Sequence, residues 1–290
     1  EARLAAEQLG VWDDGHVEGL ARLAATIKTT GARAGIQIHH AGGSTNTKRT
    51  YGLAPRVPTL LDSSPEGATE LSNAEVEELV AAFAAGTRRA LAAGFDVVEL
   101  HGAHSYLISQ FLSPETNRRG EPWGGSPEAR RRFLVRVIEA SRAEIEAAGR
   151  TGSAALTVRL GIAASSPRSL PLDEGLAAAR AAVNAGVDFL DISNGGGIDE
   201  ALATEIRDRA QIDHPFEPTL LLAALARRAV DVPVVGVNGI VMPEDAAAAL
   251  DVGVADAGAV GRGILADPGW SRTALGDDER PLEPCRQCEP

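Results

Sequence analysis

A (β/α)8 barrel is the fold this α/β sequence predicts, and three observations predict it. Strand-like and helix-like segments alternate along the whole chain, which calls for βαβ units and a parallel sheet. A short motif recurs as Gly94-Phe95-Asp96, Gly186-Val187-Asp188 and Gly253-Val254-Ala255-Asp256, each closing a helix and opening a strand. Polar and glycine residues collect where strands end: Gln37, His101, His104, Arg159, Gly239, Gly261 and Arg262. A barrel builds its active site at that end. A doubly wound sheet also binds ligands there. No G-x-G-x-x-G follows a first strand here, which favours the barrel.

The elements follow in order. Val17, Leu20, Leu23, Ala24 and Ile27 share one helical face, with Gly31 as the stop. AGIQIH (34–39) reads as a strand with Gln37 in its middle, and a buried glutamine needs partners or a ligand. Residues 42–70 read as a long Gly/Ser/Thr/Pro loop. Ser72-x-x-Glu75 is a capping box opening a helix that Gly94 ends. Phe95, Val97, Val98 and Leu100 make the next strand. It runs into His101, His104 and Tyr106 and a long loop, until Ser126-Pro127-Glu128 starts another helix. Strands follow at 155–160, 189–193, 232–240 and 257–260, with helices at 172–185, 219–230 and 243–253. About six strands are visible, against the eight of a closed barrel.

Bulk properties narrow the function. The chain has 290 residues, 44% hydrophobic and 23% charged, as in ordinary globular proteins. Its net charge of −12 argues against nucleic acid or an anionic membrane as a partner. No apolar run approaches a membrane span. Two cysteines fit a reducing compartment, and EARLAAEQLG has no signal-peptide layout, so the expected location is the cytoplasm. A homo-oligomer is open to it.

Two groups carry chemistry. Asn238-Gly239 and Gly261-Arg262-Gly263 end the last two strands, where barrels commonly bind phosphate through glycine-exposed N–H groups. Arg262 adds charge-assisted bonds; the plain alternative is that the glycines are turns. His101 and His104 have no carboxylate or thiolate at ligand spacing, and zinc needs at least three protein ligands, so no metal is expected. Two imidazoles can instead donate to one substrate oxygen, with Tyr106 as the acid. A structural histidine pair with Tyr106 in the core is the alternative.

HGAHSYLISQFLSPETNRRGEPWGGSPEARRRF resembles the signature of the old yellow enzyme family, the FMN-dependent ene-reductases also called NADH:flavin oxidoreductases. IQIHHAGG, LTVRL and DAGAVGRGILADPGW resemble that family's glutamine strand, arginine strand and phosphate-binding end. The resemblance spans nearly the whole chain and implies a TIM barrel of the FMN-linked oxidoreductase type, without its first two βα units. It implies that Gln37 and Arg159 contact the flavin's pyrimidine edge, and that Gly239, Gly261 and Arg262 hold the FMN phosphate. It implies that His101 and His104 bind a substrate carbonyl oxygen and that Tyr106 donates the proton. Hydride would pass from NAD(P)H by way of the flavin to an activated, enone-type alkene. Gly43 stands where the family usually has arginine, and Gly120-Glu121 and Ala129 where it usually has Thr-Asp and Asn.

By this reading residues 1–280 are the flavin-binding barrel and 281–290 a tail. Cys285 and Cys288 lie in that tail. Larger family members continue into a cysteine run binding a [4Fe–4S] cluster, so the pair are candidate ligands only within a longer parent chain. Two other readings stay open: a phosphate-binding barrel lyase or isomerase without flavin, and a non-catalytic barrel fragment. A Schiff-base lysine does not suit the former, because Lys28 and Lys48 are the only lysines and neither ends a strand.

Overall fold

A computed structural model describes residues 3–277 and 280–286. In chain order it contains α1 (Val17–Lys28), β1 (Gly35–Ile38), β2 (Arg56–Val57), β3 (Thr69–Glu70), α2 (Asn73–Ala92), β4 (Val97–Gly102), α3 (Leu107–Leu112) and α4 (Pro127–Ala147). There follow β5 (Ala155–Gly161), α5 (Leu172–Asn184), β6 (Phe189–Ser193), α6 (Glu200–Ala210), α7 (Pro218–Arg227), β7 (Val234–Val237), α8 (Pro243–Asp251), β8 (Ala257–Ala259), α9 (Arg262–Ala266) and α10 (Trp270–Ala274). One six-stranded sheet runs β1–β4–β5–β6–β7–β8, all neighbours parallel. Among the described residues β1 and β8 are its edges, so the expected six strands are present and the sheet is open.

Strand alternation sorts the side chains onto two faces. Val98, Leu100, Leu156, Val158, Leu160, Leu190, Ile192 and Val234 face the helices and are fully buried. Each contributes ~1.5–3 kcal/mol relative to exposure. The opposite, barrel-facing positions carry Gln37, Glu99, His101, Arg159 and Asp191 on the first four strands, then Val235, Val237, Ala257 and Ala259. Four strands therefore bring polar side chains into the interior, and two bring small apolar ones.

The recurring Gly-x-Asp motif has a physical role at the opposite end of the sheet. Asp96 accepts from Ala34 N at 3.0 Å and from Lys28 Nζ at 2.9 Å. Asp188 accepts from Leu156 N and Arg142 Nη2, both at 2.7 Å. Asp256 accepts from Val234 N at 2.9 Å and Arg227 Nε at 2.8 Å. Each aspartate thus bonds a backbone N–H at the start of the neighbouring strand and a cation from a helix. The glycine before it ends a helix in the left-handed region, φ +84° at Gly94 and +74° at Gly253, which other residues rarely adopt.

Helix starts follow the sequence. Ser72 Oγ accepts from Glu75 N and the Glu75 carboxylate accepts from Ser72 N, closing the capping box of α2. Ser126 Oγ accepts from Ala129 N, with Pro127 in the first turn of α4. Behind the site, Phe111 and Phe133 pack with centroids 4.5 Å apart, and Phe83 and Trp123 meet Phe133 edge-on at 6.4 and 6.5 Å. This aromatic cluster joins α2, α3 and α4 and fixes the long loop after β4.

Three expectations need correction. The loop 42–70 holds a two-stranded parallel ladder, β2 with β3. The loop after Tyr106 begins with α3, whose six residues are all buried, leaving no polar face from which to read a period. The run after β6 contains α6, capped by Asp199, before the expected helix, which spans Pro218–Arg227.

Candidate active site

His101 is on β4, and the turn that follows it is unusual. His104 and Ser105 both take left-handed φ, +53° and +59°, a conformation non-glycine residues adopt only when surroundings enforce it. The enforcing contacts come from the segment after β6. His104 N donates to Asn194 O at 3.2 Å, Ser105 N to Gly195 O at 2.6 Å, and His104 Nε2 shares a 2.8 Å hydrogen bond with Ser193 Oγ. Gly161 lets this segment pass, since a Cβ there would stand 2.4 Å from Gly195 Cα. The turn brings Tyr106 back over β4. Its ring centroid lies 4.9 Å from His101, and the rings of His101 and His104 are 5.1 Å apart. The three residues expected to act together are together.

The imidazoles are held neutral. Burial first, and then the nearby His104, His39 and Arg159, hold His101 far below the ordinary imidazole value. Burial and then Arg159 bring His104 down to about 4. A neutral imidazole still has one N–H to donate. His101 Nδ1 is buried and meets no hydrogen-bond partner among the described residues.

A second cluster lies at the ends of β5 to β8. His104, Arg159, Gly239, Gly261 and Arg262 line one cavity of about 300 Å³, together with Ser193, Asn194 and Cys285. Asn238 and Gly239 both have positive φ, +83° and +71°, so the chain after β7 curls around the cavity. Arg262 Nη2 reaches Asn238 Oδ1 at 3.4 Å, and nothing lies within 4 Å of where a Gly261 Cβ would stand. Arg159 Nε is 3.6 Å from Asp191 Oδ2, too long for a hydrogen bond, and is buried without one.

Gln37 does not line that cavity. It lies on edge strand β1 beside a separate apolar cavity shared with His39, Phe83 and Trp12. A polar relay connects it inward: Gln37 Nε2 donates to Glu99 Oε1 at 2.6 Å, and Glu99 adjoins Asp191, which pairs with Arg159. Cys285 lines the Arg159 cavity, whereas Cys288 lies outside the described residues.

Two residues escaped the sequence reading. His39 stands edge-on to Tyr106 at 4.9 Å and 6.0 Å from His101, a second imidazole on the same phenol, brought down to about 4 by burial. The His39-His40 doublet was its only signal, and His40 turns away to accept from Gly42 N. Glu99 was visible as a charge inside a Val/Leu strand, two positions from His101 and hence on its face.

These residues fit FMN. A guanidinium and two glycine turns suit a phosphate, and a buried Arg159 Nε without a hydrogen bond suits a ring carbonyl. Fold and site together define a flavin-dependent oxidoreductase of the barrel class. Residues 1–280 match the NADH:flavin oxidoreductase / NADH oxidase family, and the chain belongs to it. It is 34% identical over 274 residues to an NADPH dehydrogenase of Geobacillus sp. (strain WCH70), covering 94% of this chain and 75% of the relative. It is 36% identical over 283 residues to an NADH oxidase of Thermoanaerobacter brockii, covering 97% of this chain and 42% of that one. Among solved structures, the old yellow enzyme homologue from Zymomonas mobilis superposes with a TM-score of 0.74 at 26% identity, covering 94% of this chain and 74% of the other. The protein is an FMN-dependent oxidoreductase with NAD(P)H as its hydride donor.

Proposed function

We propose that this oxidoreductase reduces activated, enone-type alkenes, with Tyr106 as proton donor. One observation carries the proposal: His101, His104 and Tyr106 converge at the end of β4, beside the cavity lined by Arg159, Gly239, Gly261 and Arg262. When bound, FMN supplies hydride transfer, from NAD(P)H to the alkene's β-carbon.

In this reading the two neutral imidazoles each donate to the substrate's carbonyl oxygen. Their bonds strengthen as charge develops on that oxygen, which is where fixed donors are most effective. Tyr106 holds the proton destined for the α-carbon. Gln37 and Arg159 orient the pyrimidine edge of the cofactor, and Gly239, Gly261 and Arg262 hold its phosphate. Of the apolar inward positions of β7 and β8, Val237 and Ala259 line the cavity on the side where the ring would lie. The test is to reduce the protein anaerobically with NADPH and follow its reoxidation by 2-cyclohexenone. Fast reduction with no acceleration by the enone would remove the alkene from the reading.

The domain division belongs to the same proposal: residues 1–280 work as the flavin unit and 281–290 as its tail, with Cys285 and Cys288 as cluster ligands only in a longer chain. The partners in this reading are small molecules, in the cytoplasm; the net charge of −12 argues against nucleic acid or an anionic membrane, and a homo-oligomer stays open. No helix among the described residues is long and apolar enough to cross a membrane. The lyase reading is weakened by Lys28, whose ammonium is held by Asp96 and Gly94 O at the opposite end of the sheet.

A further inference from the structure

The pyrimidine edge of an isoalloxazine presents two carbonyl oxygens with an imide N3–H between them. Two side chains are assigned to that edge, Gln37 and Arg159. A guanidinium has donors only, so Arg159 can serve the carbonyls and never the N3–H. The acceptor for N3–H has to be Gln37 Oε1. An amide can flip by half a turn and present its NH₂ instead, which would set donor against donor. What decides the flip is the neighbour of Gln37, and that neighbour is Glu99.

We propose that Glu99 is a positioning residue of the flavin site: its carboxylate holds the Gln37 Nε2 and thereby presents Oε1 to the flavin imide. The inference rests on the reading of Gln37 as a flavin contact. The two residues are register partners on adjacent strands, with Gln37 Nε2 2.6 Å from Glu99 Oε1. An ionised carboxylate only accepts, so it selects one amide orientation. Among the described residues no donor reaches Gln37 Oε1, which leaves it available. Glu99 is itself placed from both sides, by Gln37 of β1 and by Asp191 of β6, with Arg159 of β5 next to it. The inward positions of β7 and β8, Val235, Val237, Ala257 and Ala259, bring no further charge to it. Burial first, then the Asp191 charge, pushes Glu99 up to about 7, so the carboxylate is mostly ionised from pH of about 8 upward.

The test compares FMN with 3-methyl-FMN, which lacks the N3–H, by fluorescence titration at pH of about 8. The proteins are the wild type, Glu99→Gln, Gln37→Ala and the double variant. The wild type is expected to prefer FMN by about tenfold, one hydrogen bond's effect at ~1.4 kcal/mol per decade. Glu99→Gln offers an amide in place of the carboxylate, frees the flip and cuts that preference to about two- to threefold, because FMN weakens and 3-methyl-FMN does not. In the Gln37→Ala background the same change has no effect on the preference, since there is no amide left to orient. Full discrimination in Glu99→Gln, or an equal loss with and without Gln37, overturns the proposal. Wild-type FMN affinity in Gln37→Ala overturns the assignment of Gln37 instead, and the inference with it. Glu99→Asp guards against a folding defect. It keeps the carboxylate one methylene shorter and is expected to retain more of the preference than Glu99→Gln; equal loss in both contradicts the orienting role.

Discussion

His101 and Tyr106 meet ring to ring, with 4.9 Å between centroids and 52° between planes. They are held so because two successive left-handed residues, His104 and Ser105, fold the chain back within a single turn. An oxygen bound by the imidazoles therefore lies within one residue's reach of a phenolic proton. That relationship supports the following expectations.

Tyr106→Phe should slow reoxidation by an enone by ~10²–10⁴-fold, the usual range for removing a general acid. Reduction by NADPH should stay near wild type, since the phenol serves only the second half-reaction. Stopped-flow measurement of both halves decides it. An unchanged oxidative half-reaction would take Tyr106 out of the mechanism.

His101→Ala and His104→Ala should each weaken binding of a para-substituted phenolate. A donor to a charged oxygen contributes ~1.5–3 kcal/mol, roughly 10- to 150-fold in affinity. The charge-transfer absorbance of the phenolate over oxidised flavin gives the affinity. If both variants bind as tightly as wild type, the pair is structural.

His39→Ala removes an edge-on neighbour of Tyr106 and opens space beside β1. Acceptance of enones bearing a bulky β-substituent should improve relative to 2-cyclohexenone. The ratio of kcat/KM for the two substrates is the readout, and a ratio matching wild type would place His39 outside the substrate pocket.

Glu99 makes stability depend on pH in a stated direction. Its folded value is raised to about 7, so between the ordinary glutamate value and 7 the folded state binds more protons than the unfolded one. Its contribution is present at low pH and is lost as pH rises through about 7. Glu99→Gln removes that loss, so its stability relative to wild type should improve as pH climbs from about 4.5 to 7. His39 and His104 act oppositely. Their folded values near 4 make wild type lose stability as pH falls below about 6.5. Urea midpoints across this range would show a pH-independent difference if Glu99 were not buried against Asp191.

Asp96→Ala should destabilise by about 2 kcal/mol without touching the site. It strands the buried Ala34 N–H and takes the carboxylate from Lys28, whose ammonium keeps Gly94 O, at the far end of the sheet. For a domain of this size that lowers Tm by about 4–8 °C. An unchanged melting temperature would mean the Gly-x-Asp repeat is not a latch.

Much of this was legible in the sequence, for physical reasons. Strand alternation and helix caps are local signals, so β4 and the starts of α2 and α4 could be placed from Phe95–Leu100, Ser72 and Ser126 alone. The His101, His104 and Tyr106 group was legible because three polar rings crowd one strand end. What escaped depends on tertiary context. The run LISQFL is buried on every side, so α3 shows no helical period. His39 acquires its role only because β1 ends at Ile38 and releases it toward Tyr106. Glu99 is a single charge within a Val/Leu strand in the sequence, and its meaning appears once β1, β5 and β6 supply Gln37, Arg159 and Asp191 around it.

The central claim is that the cavity at the ends of β5 to β8 binds FMN through its phosphate. The most direct measurement titrates FMN and riboflavin into the wild type and Arg262→Ala, following the flavin's visible absorption. The account predicts one FMN per chain, riboflavin weaker by at least tenfold, and an Arg262→Ala variant that loses most of the preference for FMN. Equal affinity for the two flavins, or an Arg262→Ala variant that still tells them apart as the wild type does, would contradict it.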